Sequence, residues 1–178
     1  MVRARYDRLT RSLHWATAAL VIVTYAIGLG REFLPKGDLR TMMLAQHISF
    51  GLAMLGIVAV RILWRLAAPP VAPAPMASHA HLAARFAHMG LYILMLAAPV
   101  VGIAAAFIKG RTVGFFGLEI VNPFAINVAV GKALEGAHEL AAHALLALAG
   151  LHAAAALAHH YLLRDGVMAR MLPAGARA

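Results

Sequence analysis

The stretch HELAAHALLALAGLHAAAALAHHYLLR, residues 138–164, decides the fold. Between Glu139 and Arg164 it carries no Asp, Glu, Lys or Arg. An uncharged apolar run of about 20 residues is what an α-helix needs to cross a hydrocarbon layer roughly 30 Å thick. Towards the N-terminus, the same kind of gap separates Arg85 from Lys109, Arg40 from Arg61 and Arg11 from Arg31. A fifth gap, Arg65 to Arg85, contains Pro69, Pro70, Pro73 and Pro75. Proline cannot sustain helical hydrogen bonds, so this stretch reads as a loop. The segment from Lys109 to Gly131 is likewise broken by Gly114, Gly117, Asn122 and Pro123. The expected fold class is all-α, an integral membrane four-helix bundle in one domain over residues 1–178. Its spans fall at about 12–30, 41–64, 85–108 and 136–163. Pro99 inside the third span is tolerable where neighbouring helices re-satisfy the freed backbone. The small residues Ala153 to Ala156 and Ala158 of the fourth allow close approach of a helix or a flat ligand.

Composition agrees. The chain is 62% hydrophobic and 13% charged, against roughly 25% charged in soluble domains, and a soluble fold this small cannot hide so much apolar surface. The net charge of +9 does not indicate nucleic acid, because the basic residues cluster at the ends of apolar runs, where lipid headgroups lie. One side carries Arg3, Arg5, Arg8, Arg11, Arg61, Arg65, Arg85, Arg164, Arg170 and Arg177, opposed only by Asp7 and Asp165. On the other side Arg31, Lys36, Arg40, Lys109, Arg111 and Lys132 are largely offset by Glu32, Asp38, Glu119, Glu135 and Glu139. The positive-inside rule then puts both termini in the cytoplasm. The basic N-terminus leads into an apolar run with no small-residue cleavage site, so it reads as a retained span. The absence of cysteine excludes disulfides, iron–sulfur clusters and covalently attached c-type haem. It leaves ten histidines as the soft ligands.

A histidine inside a bilayer is costly unless partnered, which makes each one a functional hypothesis. His14 opens the first span, and His47 lies early in the second, which starts at the opposite surface. In the fourth span His138 is near the outer end and His152 follows 14 residues later. Fourteen residues make nearly four turns, so the two share a face about 21 Å apart. His152 therefore reaches the depth of His14, and His138 stays at the depth of His47. The pairs His14–His152 and His47–His138 suit two macrocycles gripped by trans imidazoles, neutral imidazole being an axial ligand of haem iron. Two haem b are the expected cofactors. A single membrane histidine could instead bond a carbonyl or a headgroup. Zinc would want three or four ligands close together, and a proton relay would favour mid-span carboxylates, of which there are none. Arg61, 14 residues beyond His47, shares its face at the inner depth. With Arg65 it is a candidate partner for haem propionates, snorkelling to headgroups being the alternative. His79 and His81 are expected in the solvated proline loop and His160 at the headgroups. His88, His143 and Met95 find no partner.

The segments RYDRLTRSLHW (5–15), AQHISFG (45–51), VRILWR (60–65) and HELAAHALLALAGLHAAAALAHHYLLRDGVMARM (138–171) together resemble bacterial cytochrome b561. The resemblance runs from Arg5 to Met171 and implies one cytochrome b561-type transmembrane domain, with His14, His47, His138 and His152 as ligands of haem iron. It also implies one of two activities. In the first, the chain is an enzyme of the bacterial inner membrane that oxidises superoxide outside and reduces ubiquinone. In the second, it is a haem b subunit that passes electrons between a soluble dehydrogenase or hydrogenase and the quinone pool. A non-redox carrier of divalent metal is a third and weaker reading. For superoxide, an electropositive mouth can raise on-rates ten- to a thousandfold. Lys109 and Arg111 are the steering charges expected, with Arg40 and Lys132 as weaker candidates and interfacial anchoring as the alternative role. Quinone must also take up protons. His159, seven residues beyond His152 on the same face, is expected to supply them, walled by Ser12, Arg8 and Trp15; binding a haem propionate is its alternative role.

Overall fold

A computed structural model describes residues 5–74 and 76–172. Helix α1 spans Arg8–Gly30 and leads through a 3-10 turn, Arg31–Phe33, into α2, Asp38–Ala67. Helix α3 spans Ser78–Ile108. A short antiparallel hairpin, β1 (Val113–Phe115) and β2 (Leu118–Ile120), precedes α4, Val128–Ala158, whose last turn widens into a π-helical turn at His159–Leu163.

The starts of α1 and α4 are set by side-chain caps. Asp7 accepts from Thr10 N–H at 2.9 Å and from the Thr10 hydroxyl at 2.6 Å, and Asn127 accepts from Val130 N–H at 3.1 Å. Each satisfies an amide that a helix start leaves unpaired. The Asp7 carboxylate and the Thr10 hydroxyl also accept the Trp64 indole N–H, at 3.2 and 3.1 Å, so the cap fixes α1 against the end of α2. The helices run longer than the charge gaps, because those gaps measure only the apolar middle of each helix. One consequence is a correction: His79 and His81 lie in the first turn of α3, not in the loop. Once past Pro75, no residue before Pro99 lacks an amide N–H, and the helix can start at once.

All four helices are long and apolar enough to cross a membrane. Helix α1 packs on α2, α2 on α3, and α3 on α4, whereas α1 and α4 barely touch. Met54, Val58, Met95 and Leu145 form the mid-bundle core, which gives Met95 a packing role. Ile48, Ala106, Phe107 and Val113 form a second cluster at the hairpin end. There Ser49 ties α2 to the hairpin, donating to Gly114 O at 3.2 Å and accepting from Phe116 N–H at 3.0 Å. At the opposite end the chain's two ends meet. Arg11 donates to Leu172 O at 2.6 Å and Trp15 Nε1–H to Met171 O at 3.1 Å, and Arg170 donates to Ala72 O. Arg65 and Arg170 both lie on the Tyr6 ring, 5.7 and 5.8 Å from its centroid. Four long apolar helices are as expected, and the described N- and C-terminal segments lie together at one end of the bundle.

Candidate functional site

The His47 and His138 rings face each other with centroids 5.8 Å apart and planes at 81°. His47 Nδ1 lies 2.9 Å from Thr24 O on α1, and His138 Nδ1 lies 2.8 Å from Ala98 O on α3. A carbonyl oxygen only accepts, so each Nδ1 carries the proton and each Nε2 keeps its lone pair. Metal-bound histidines use this arrangement, one nitrogen oriented by an acceptor and the other on the metal. In both cases the residue four beyond the carbonyl is glycine, Gly28 on α1 and Gly102 on α3. A Cβ at either would sit 2.7 Å from the imidazole it faces. The glycines are the seats on which the two rings rest.

A cavity of about 880 Å³ opens between the histidines, lined by both of them, both glycines and Thr24. That is the size of a cofactor pocket. The Thr24 hydroxyl is buried with no hydrogen-bond partner among the described residues, so the wall offers a polar group to an occupant. The Nε2 atoms of His47 and His138 are the groups that would hold a haem iron, and the 5.8 Å between their ring centroids is of the size needed for one metal bonded at about 2 Å to each.

Towards the termini, His14 and His152 stand 6.3 Å apart, centroid to centroid, at 70°, which fits the same requirement. His88 of α3 adds a third ring, 5.2 Å from that of His152. The Arg61 guanidinium lies 3.5 Å from His14 Nδ1 and 5.5 Å from the Tyr92 centroid. Depth-matching of histidines along the sequence gives His88 no mate, because its counterpart on α3 is a glycine. The signal was a 14-residue interval. The pairs His14 and Gly28, His47 and Arg61, His88 and Gly102, and His138 and His152 each repeat it on one of the four helices. Since 14 residues return nearly to the same face, every helix contributes one group to each level. The level nearer the hairpin, termed outer, is Gly28, His47, Gly102 and His138, and the level nearer the described terminal segments, termed inner, is His14, Arg61, His88 and His152.

The other expected residues are distributed as follows. Lys109 and Arg111 meet at Glu135, at 2.5 and 3.1 Å, and so are not free charges. Arg40 and Arg31 share Glu32, at 2.6 and 2.7 Å. Lys36 and Lys132 line the cavity and make no ion pair among the described residues. The Arg65 guanidinium lies on the Tyr6 ring. Trp15 flanks His14, centroids 5.3 Å apart, with its N–H committed to Met171. Ser12 is exposed.

His159 has a partner that spacing did not suggest. The π-helical turn and the left-handed Arg164 (φ 50°) bring the chain back, so that the Asp165 carboxylate lies 2.5 Å from His159 Nδ1. Burial pushes the Asp165 carboxyl up, but hydrogen bonds from His159 and the Val167 N–H, with the charge of His159, outweigh it and hold the group below its usual value. An ionised carboxylate only accepts, so His159 Nδ1 carries the proton.

Four membrane-crossing helices that turn imidazoles towards one another at two depths define a membrane haem protein. Residues 5–174 match the family model for prokaryotic cytochrome b561. The chain is 34% identical over 171 residues to the probable superoxide oxidase CybB of Yersinia pestis, covering 95% of this chain and 96% of that protein. It is 32% identical over 173 residues to cytochrome b561 homolog 1 of Escherichia coli K12, covering 95% and 97%. It is 31% identical over 175 residues to cytochrome b562 of Cereibacter sphaeroides, covering 94% of each. The chain belongs to the prokaryotic cytochrome b561 family. It is a multi-pass membrane oxidoreductase that binds haem b and transfers electrons.

Proposed function

We propose that the chain is a superoxide:ubiquinone oxidoreductase of the bacterial inner membrane with two haem b groups, one held by His47 and His138 and one by His14 and His152. The observation that carries the two-haem reading is the paired geometry: both separations suit one iron, and the outer pair has its Nδ1 protons bound and its Nε2 lone pairs free. Bound haem supplies one-electron iron chemistry that no side chain of this chain can supply.

The protein's own groups do the rest. On the outer side, which the basic bias of the other end assigns to the periplasm, Arg31, Lys36, Arg40, Arg111 and Lys132 outnumber Glu32, Glu135 and Glu139 by two around the cavity. With Lys109 and Arg111 held by Glu135, Lys36 and Lys132 are the charges left to draw in an anion. Two superoxide anions give up one electron each and leave as oxygen. One quinone takes both electrons, and two protons from the cytoplasmic side complete the quinol. His159 hands over those protons from Nε2, while the Asp165 carboxylate fixes the ring through Nδ1. Arg61, beside His14, answers a haem propionate.

The test uses purified protein in liposomes containing ubiquinone, with superoxide generated enzymatically outside. The expected result is rapid haem reduction and quinol formation, both abolished by added superoxide dismutase. Haem that stays oxidised under this flux, yet reduces when a soluble dehydrogenase is supplied, would overturn the superoxide reading in favour of the partner-driven one.

A further inference from the structure

His143 and Tyr25 have no part in holding or feeding the cofactors as described, yet they meet inside the membrane. The Tyr25 hydroxyl lies 2.8 Å from His143 Nδ1, joining α1 to α4 where those helices otherwise barely touch. Both residues line the outer cavity. His143 is five residues inward of His138, a descent of about 7.5 Å. Tyr25 is three residues inward of Gly28, about 4.5 Å. The pair therefore sits just beneath the outer level, on the side of the inner one. An ionisable group at that depth carries a high cost unless it is used.

We infer that His143 is a redox-linked proton site. It binds one proton when an electron arrives at the group held by His47 and His138, and releases it when the electron moves on. The inference rests on the haem reading proposed above. The electron removes one positive charge from the cavity, and a neighbouring imidazolium then loses a repulsion, so proton binding at His143 becomes more favourable. The proton comes from water at the cavity mouth and returns there; no bond other than N–H forms or breaks. Neutral His143 accepts the Tyr25 O–H at Nδ1. Protonation at that nitrogen reverses the hydrogen bond, and the phenol oxygen becomes the acceptor.

Few other charges face the ring. Among the described residues, helix α1 presents only Tyr25 as an ionisable group at the cavity wall, helix α2 presents His47, and α3 presents none. The ring's own helix presents His138 and Glu139, the Glu139 carboxylate being 3.8 Å from His143 Nε2. The remaining wall charges, Arg31, Glu32, Lys36 and Arg40 before or in α2, Arg111 after α3, and Lys132 and Glu135 on α4, lie towards the mouth.

The test is a spectroelectrochemical titration of the two-haem protein at a series of pH values. The outer component is taken as the one missing in His47→Ala. Its midpoint potential should fall with rising pH over one limited pH window. The slope cannot exceed about 59 mV per unit, the value for one proton per electron. His143→Gln should flatten the slope while both haems remain, and Tyr25→Phe, which keeps the ring but removes the hydroxyl, should move the window. An unchanged slope in a haem-replete His143→Gln overturns the inference. If that variant does not hold haem, an unmoved window in Tyr25→Phe overturns it instead. A wild-type protein without two haem components refutes the underlying haem reading, which is a separate outcome.

Discussion

Replacing Gly28 with alanine tests the seat of the outer imidazole with the smallest possible change. The added Cβ would lie 2.7 Å from His47 Cε1 and 2.8 Å from its Nδ1, whereas ordinary contact begins at 3.4 Å, so the ring must retreat by about 0.7 Å. That shift takes the 2.9 Å bond from Nδ1 to Thr24 O beyond hydrogen-bonding range. Losing the partner that orients a metal-bound histidine typically costs about 10- to 100-fold in affinity, or about 1.4 to 2.7 kcal/mol. The assay is haem content per polypeptide by pyridine haemochromogen, before and after a timed challenge with excess apomyoglobin. Gly28→Ala should surrender one haem of the two 10- to 100-fold faster than wild type and keep the other. Gly56→Ala is the control, because nothing lies within 4 Å of its Cβ; relieving helix-interior glycine there should stabilise slightly. Equal retention of both haems in Gly28→Ala and Gly56→Ala would refute the seat.

Three further outcomes are expected. Asp7→Ala should cost about 1 kcal/mol through the lost cap, the Trp64 N–H keeping the Thr10 hydroxyl as its acceptor, and should lower the thermal midpoint in detergent. Burial raises the Asp7 carboxyl, but Thr10 and Trp64 outweigh that and hold it below its usual 3.8. Its contribution is therefore complete above pH 3.8 and disappears as pH falls below it, so wild type and variant should converge in acid. Reversing Lys36 and Lys132 together to glutamate turns an excess of two positive wall charges into a deficit of two. Superoxide-driven haem reduction should slow by about tenfold at low salt, with the difference shrinking at 1 M salt; equal rates would show that those lysines do not steer. Asp165→Asn should leave haem reduction intact and slow quinol formation by about tenfold or more, the scale of a proton-transfer contribution, as read by stopped-flow at neutral pH. The wild-type contact itself should fail only in acid, since the Asp165 carboxyl is held low.

Much of this was legible in the sequence because both lipid and metal leave simple marks. Lipid excludes charge, so the four uncharged gaps without a proline cluster counted the helices. A metal needs facing ligands, and helical periodicity puts His138 and His152 on one face without any knowledge of the tertiary fold. The glycine seats were not legible, because a glycine signals close approach only once the approaching group is known. His88 went unread because its match along α3 is Gly102, not another histidine. Lys109 and Arg111 looked free because Glu135 lies across an irregular segment whose path no periodicity describes. The Asp165 contact depends on a widened turn and one left-handed residue, and such local departures have no sequence period to give them away.

The weak contact between α1 and α4 has a consequence for how the protein matures. Helices α2 and α3 act as the spine of a half-open book, and α1 and α4 are its covers, hinged on the spine and joined just beneath the level of His47 and His138 by the Tyr25–His143 clasp. A porphyrin is itself amphiphilic and resides in the bilayer, so the fore-edge between the covers faces the phase that delivers it. A pigment that enters from the side is taken up after the polypeptide is inserted.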